Sequence, residues 1–316
     1  MARVSVALAL AGALLCTAPG GAGPRPAAAA PAAPRPTGVI HVSWRTEPSY
    51  TFVKDVVAEC PAGKVVLGGG AFVVSATGSP PVRTPFALTR LVPYWSGGSR
   101  HYAYAATAVN TSPVPYLWWL SVEAICADPM TGYQIVSGAS ERSASPVKSA
   151  APACPDTTRQ RVLGTGAMVA TTTGSPAAGP VLQVARADAR GVLTRAQAHT
   201  RPAGFSDEWQ LYGYAVCALT PDGYQVRGGS SAAGPARFKT ATASCTGDRQ
   251  VVSRGGAVSN VAPGNVALTT LTFTSHDDMG AGSRVEASWN SPLELADRDA
   301  PIDWDSIVAQ SICVAR

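Results

Sequence analysis

Hydrophobic and polar positions alternate over short runs that recur along the chain. Segments 102–110 (YAYAATAVN), 192–200 (VLTRAQAHT) and 284–290 (RVEASWN) are of one kind, and 86–93 (FALTRLVP), 181–187 (VLQVARA) and 266–273 (VALTTLTF) are of another. A period near two, with Val, Thr and aromatic residues in the runs, is the pattern of half-buried β-strands. Pro, Gly, Ser and Asn between the runs leave no space for a helix of three turns. The pattern predicts an all-β protein with about five strands in each of three units.

The same three-part order appears in the cysteine contexts. Segments CPAGKVVLGGGAFV after Cys60, CPDTTRQRVLGTGAMV after Cys154 and CTGDRQVVSRGGAVS after Cys245 each pass from a polar turn through a β-branched run to a Gly-Ala step, at Gly70-Ala71, Gly166-Ala167 and Gly256-Ala257. VEAICA at Cys126, GYAVCAL at Cys217 and AQSICVA at Cys313 match in turn, with Trp118 or Trp119, Trp209 and Trp304 upstream. GYQIV from Gly132 and GYQVR from Gly223 join the units. Of only 4 lysines, Lys54, Lys148 and Lys239 each stand six residues before the first cysteine of a unit. This self-similarity indicates three tandem copies of one structural unit, at 39–132, 133–223 and 224–316.

The first 38 residues differ in kind. Arg3 precedes an apolar run from Val4 to Cys16, and Ala, Pro and Gly then dominate to Gly38. This is the form of a secretory signal peptide and a Pro/Ala-rich spacer, with cleavage after an Ala between Ala18 and Ala33. The apolar run is too short to span a bilayer. Leu14 and Leu15 before Cys16 do not suit a lipoprotein signal, so a secreted, extracellular protein that is not membrane-embedded is expected. Its loss removes one of 7 cysteines and leaves Cys60, Cys126, Cys154, Cys217, Cys245 and Cys313. In an oxidising compartment such an even set reads as disulfides. Six cysteines allow 15 pairings. Self-consistent units require Cys60 with Cys126, Cys154 with Cys217 and Cys245 with Cys313.

Charge excludes further classes. The chain carries 25 basic and 20 acidic residues, and without Arg3, Arg25 and Arg35 the basic count is 22, about +2. There is no basic stripe for nucleic acid. The chain stops soon after Cys313, where the first two units continue into GYQIV and GYQVR. An N-terminal strand over 39–44 is therefore expected to complete the third unit, closing a pseudo-threefold ring without exposed edges. Three separate sandwiches are the alternative.

CPAGKVVLGGGA from Cys60, with SVEAICA ending at Ala127, resembles a family of small secreted bacterial domains. They are frequent in actinobacteria and also occur at the ends of collagen-like and fibre-like chains. The third unit departs from the pattern, with SRGG at 253–256 in place of LGGG. The resemblance implies compact β-domains that associate in threes, a covalent triplication here replacing a trimer.

A catalytic constellation is lacking in the sequence. GxSxG, HExxH and P-loop motifs do not occur, and His41, His101, His199 and His276 fall at unmatched positions. His276 with Asp277 and Asp278 is the best acid-base set, and Glu294, Asp297, Asp299, Asp303 and Asp305 are oxygen ligands without the spacing of an EF-hand loop. No metal or cofactor is expected from either. Gly68, Gly69 and Gly70 lack the following helix of a phosphate cradle and instead suit a β-bulge or close backbone approach. Lys54, Lys148 and Lys239 offer an anion- or sugar-binding ring, set against buried stems whose ammonium groups bond carbonyls. A non-enzymatic binding protein is expected, an adaptor or structural subunit of an extracellular protein complex. One concrete form is the secreted antibacterial particle of filamentous actinobacteria. A lectin-like or cell-wall-binding module using Tyr94, Trp95, Tyr102 and Tyr104 for a glycan is the alternative, with an enzyme or enzyme inhibitor third.

Overall fold

The computed structural model describes residues 34–75, 86–172, 179–200, 205–235, 238–259, 266–273, 282–289, 303–304 and 306–316, and these contain no helix. Residues from 33 onward form one compact unit. The first third of the chain supplies β1 (Ile40–Arg45), β2 (Val53–Glu59), β3 (Val65–Ser75), β4 (Phe86–Ser96), β5 (His101–Asn110) and β6 (Trp118–Ala127). The second supplies β7 (Gln134–Ala139), β8 (Val147–Ala150), β9 (Gln160–Thr171), β10 (Val181–Ala187), β11 (Thr194–His199) and β12 (Trp209–Leu219). The third supplies β13 (Gln225–Ser230), β14 (Gly234–Pro235), β15 (Phe238–Ser244), β16 (Arg249–Ser259), β17 (Val266–Phe273), β18 (Gly282–Trp289), β19 (Asp303–Trp304) and β20 (Ser306–Ala315). The five strands per unit anticipated from periodicity are thus too few. The short β8 and the polar, half-exposed β7 have little hydrophobic alternation to reveal them.

Eighteen of these strands form three six-stranded sheets, ordered β1-β6-β3-β17-β18-β15, β2-β5-β4-β9-β12-β7 and β13-β20-β16-β10-β11-β8. Each sheet takes three strands from one third and three from another, so the thirds are not separate sandwiches. The junctions are short antiparallel ladders: Leu91 opposite Ala167 in β4 and β9, Ala185 opposite Gly256 in β10 and β16, and Leu271 opposite Ala71 in β17 and β3. Gly256 rather than Ala257 therefore occupies the place of Ala71 and Ala167. The third unit is displaced by one residue from the Gly-Ala alignment.

Closure by the N-terminal strand is not what the pairing shows. β1 lies on β6 of its own third, with Ile40 opposite Cys126. β7 and β13 take the same position, Gln134 opposite Cys217 and Gln225 opposite Cys313. Each cysteine-bearing strand has one side on β3, β9 or β16, and the strand that opens the same third satisfies the donors and acceptors on its other side. The third and first thirds are joined by β17 and β3 instead.

The strands β3, β9 and β16 approach one another at the centre. All three carry a bulge, at Leu67, Leu163 and Val252, which breaks the alternation and turns an extra apolar side chain inward. These three side chains are fully buried in one cluster. Glycine beside the bulge allows the approach: a Cβ on Gly164 would lie 1.9 Å from the Leu67 carbonyl oxygen, and one on Gly68 would lie 2.3 Å from Ser253 Oγ. Disulfides Cys60–Cys126, Cys154–Cys217 and Cys245–Cys313 close loops of 66, 63 and 68 residues. In the chain-entropy account each closure stabilises by about 4 kcal/mol. Three disulfides suit an oxidising environment, and no helix among the described residues is long and apolar enough to cross a membrane.

Candidate functional site

The lysines that recur in the sequence are structural side chains. Lys54 Nζ donates to Glu47 O at 2.9 Å and to Ser49 Oγ, and lies 5.2 Å from the Trp118 ring centroid. Lys148 Nζ repeats this with Glu141 O at 2.9 Å, Ser143 Oγ at 2.6 Å and the Trp209 ring at 5.1 Å. Lys239 Nζ donates to Ala232 O at 3.1 Å, again seven residues upstream. All three are buried. The indoles are fixed from the other side, Trp118 Nε1 donating to Thr51 O and Trp209 Nε1 to Ser145 O. Burial lowers the Lys54 ammonium from its usual range, and carbonyl, hydroxyl and aromatic face together replace its water. These lysines do not present a ring of exposed ammonium groups to a ligand.

The aromatic set proposed for a glycan is divided by the fold. Tyr104 is fully buried, its hydroxyl donating to Thr165 O at 3.0 Å, and burial raises its pKa far above the usual range. Tyr102 packs between Trp95 and Tyr133, with ring centroids 4.8 and 5.2 Å away. Tyr94 lies under Arg90 at 5.9 Å. Trp95 is exposed. The four do not form one open platform: alternation puts Tyr94 and Trp95 on opposite faces, and Tyr104, on the same face as Tyr102, lies within the core.

His41, His101 and His199 lie on β1, β5 and β11. Burial lowers His199 to about 4, beside Gln197 Nε2 at 2.9 Å. His276, Asp277, Asp278, Glu294, Asp297, Asp299 and Asp305 lie outside the described residues, as does the side chain of Asp303. Among the described residues no group of His, Cys, Asp and Glu is suited to hold a metal ion.

A different site emerges on the first sheet. A groove of about 600 Å³ is lined by Trp44 and Arg45 of β1, Glu47 beyond it, Phe72 of β3, and Trp119 and Glu123 of β6, with Ser43 and Ser121 between. The ladders put Ser43 opposite Glu123, Arg45 opposite Ser121 and Phe72 opposite Ser121. In antiparallel strands such paired residues share a face, and alternation sends Trp118, Leu120 and Val122 into the core behind it. Trp44, opposite Val122, starts from the other face of β1 and is 68% exposed at the sheet edge.

Glu123 is held from beneath. Arg254 of β16, whose side chain is fully buried, places Nη1 2.8 Å from Glu123 Oε2, while the glutamate side chain remains 17% exposed. Burial lowers the guanidinium to about 10, opposed by Glu123 and Tyr104, so it stays charged at neutral pH. His41 lies beside this pair, and burial, followed by the Arg254 charge, lowers its pKa. The departure SRGG at 253–256 was the one sequence signal of this arginine. Its partner lies in another third of the chain and had no local signal.

No protein-family model matches the chain, and no curated protein matches it.

Proposed function

We propose that this is a secreted, non-enzymatic binding protein, an adaptor or structural subunit of an extracellular protein complex. Three tandem units around a pseudo-threefold axis form its frame. The recurrent sheet make-up and the common register of β1, β7 and β13 against the cysteine strands support that arrangement. The ring is then closed by the β17–β3 ladder, and among the described residues each sheet keeps two open edges.

The observation that carries the binding role is the edge formed by β1. Among the described residues it pairs only with β6, and Trp44, Tyr50 and Phe52, on this strand and in the segment leading to β2, are exposed at 68, 60 and 39%. An unpaired edge next to exposed aromatic side chains suits strand addition by a partner chain. Native purification from culture fluid with mass measurement of the assembly tests the role. A stoichiometric partner protein, released by Tyr50→Ser with Phe52→Ser, is expected; a lone monomer in the native fluid would overturn it.

A further inference from the structure

We infer that the groove on the first sheet is a binding site for a neutral oligosaccharide, a ligand function additional to the adaptor role and independent of it. The strand registers supply an internal comparison. Trp44 lies opposite the residue four before its disulfide cysteine, and the same place holds Gly138 in the second third and Gly229 in the third. Trp119, seven before the cysteine, corresponds to Gln210 and Ser306, and Glu123, three before it, to Tyr214 and Gln310. Arg254 lies opposite the residue two before the cysteine, where the other thirds have Gly69 and Thr165. Trp119 and Glu123, special to one of three similar faces, thus line one groove, and Arg254 pairs with Glu123 there, whereas Trp44, opposite Val122, starts from the other face of β1.

Folding does not account for this set. Gly69 and Thr165 occupy the Arg254 position without any charge, whereas burying a guanidinium requires a paired, hydrogen-bonded anion to offset several kcal/mol of lost hydration. A largely exposed Trp44 adds little to the core. What the arrangement produces is a carboxylate fixed in orientation at a groove wall, with part of its surface still open. Fixed carboxylates accept hydrogen bonds from adjacent hydroxyls, and indole surfaces stack on the apolar C–H face of a sugar ring.

Charge chooses among ligands. Arg45, Glu47 and Glu123 line the groove and Arg254 backs it, so these charged side chains sum to zero. An aromatic cage for a quaternary ammonium would keep a net negative charge, and an anion site would keep a positive one. The volume of about 600 Å³ falls within the range for small ligands and suits a few sugar rings.

The test is titration of the folded full-length secreted protein with cellohexaose, chitohexaose and maltohexaose, followed by tryptophan fluorescence and calorimetry. Saturable binding of at least one hexaose is expected, weakened about tenfold or more by Trp119→Gln. Trp119→Gln installs the residue type that the second third carries at this place, Gln210, and should keep the wild-type circular dichroism, which separates lost binding from lost fold. Glu123→Gln should weaken binding in protein shown to be folded by its circular dichroism. Absence of binding by all three sugars up to roughly 10 mM, equal binding by folded Trp119→Gln, or preference for tetramethylammonium over every hexaose would overturn the inference. Loss of the adaptor role would appear separately, as a monomer in native culture fluid that still binds sugar.

Discussion

Arg254 Nη1 and Glu123 Oε2 lie 2.8 Å apart although their residues are separated by more than a hundred positions and belong to different sheets. The pair completes a circuit through the centre. Tyr104 donates to Thr165 O at 3.0 Å, Thr165 Oγ1 donates to Arg254 O at 3.0 Å, and Arg254 returns to Glu123 in the third that began with Tyr104. Each contact joins a different pair of thirds, so polar bonds reinforce the packing of Leu67, Leu163 and Val252.

Removing one partner of that ion pair is expected to cost more than removing both. Glu123→Ala leaves the buried guanidinium uncompensated and should lower stability by about 3–5 kcal/mol. Arg254→Met leaves a glutamate that still reaches water and should cost less. The double variant should be more stable than Glu123→Ala alone, as measured by urea unfolding.

Lys54→Met and Lys148→Met keep the buried stem and lose the bonds to carbonyl and hydroxyl. Each is expected to destabilise by about 1–3 kcal/mol, with similar losses because their surroundings match. The effects should add when the two are combined. Thermal unfolding of the single and double variants checks this.

His199 makes stability depend on pH. Its folded pKa of about 4 lies below the usual 6.5, so the unfolded chain takes up the proton first. The contribution is complete above pH 6.5 and is lost as pH falls from there toward 4, amounting to roughly 3 kcal/mol. His41, also lowered, acts with the same sign. The difference between wild type and His199→Gln in urea unfolding, followed from pH 7 to about pH 4, isolates the His199 share; a constant difference across that range would refute it.

Gly164→Ala would place a methyl group 1.9 Å from the Leu67 carbonyl oxygen, part of the backbone of a central strand. Displacing that strand is expected to cost about 3 kcal/mol or more. Gly97→Ala, with no atom within 4 Å of its added Cβ, should stay within about 0.5 kcal/mol of wild type. Comparing their melting temperatures separates close packing from the loss of glycine itself.

Strand character was readable where side chains alternate strongly, as in β4, β5 and β10, and weak where edge strands expose both faces, as in β7. The lysine spacing was visible because the position recurs, but its meaning depended on Glu47, Glu141 and Ala232 carbonyls that carry no sequence signature. The aromatic residues of β5 read as a platform only until packing against Gly69 and Thr165 of the central strands placed Tyr104 inside. The groove was not readable at all, since Ser43 and Arg45 meet Glu123 and Ser121 only through the β1–β6 register.

Composition and periodicity by themselves determined an all-β chain rich in turns, with six cysteines after residue 38 placed for disulfides, because strand alternation and cysteine spacing are local properties. Tertiary structure decided which strands share a sheet, that β1 stays with β6, and that Arg254 meets Glu123. Those outcomes depend on long-range hydrogen-bond registers and on the burial of one charge against another, and neither is encoded in any single stretch of the sequence.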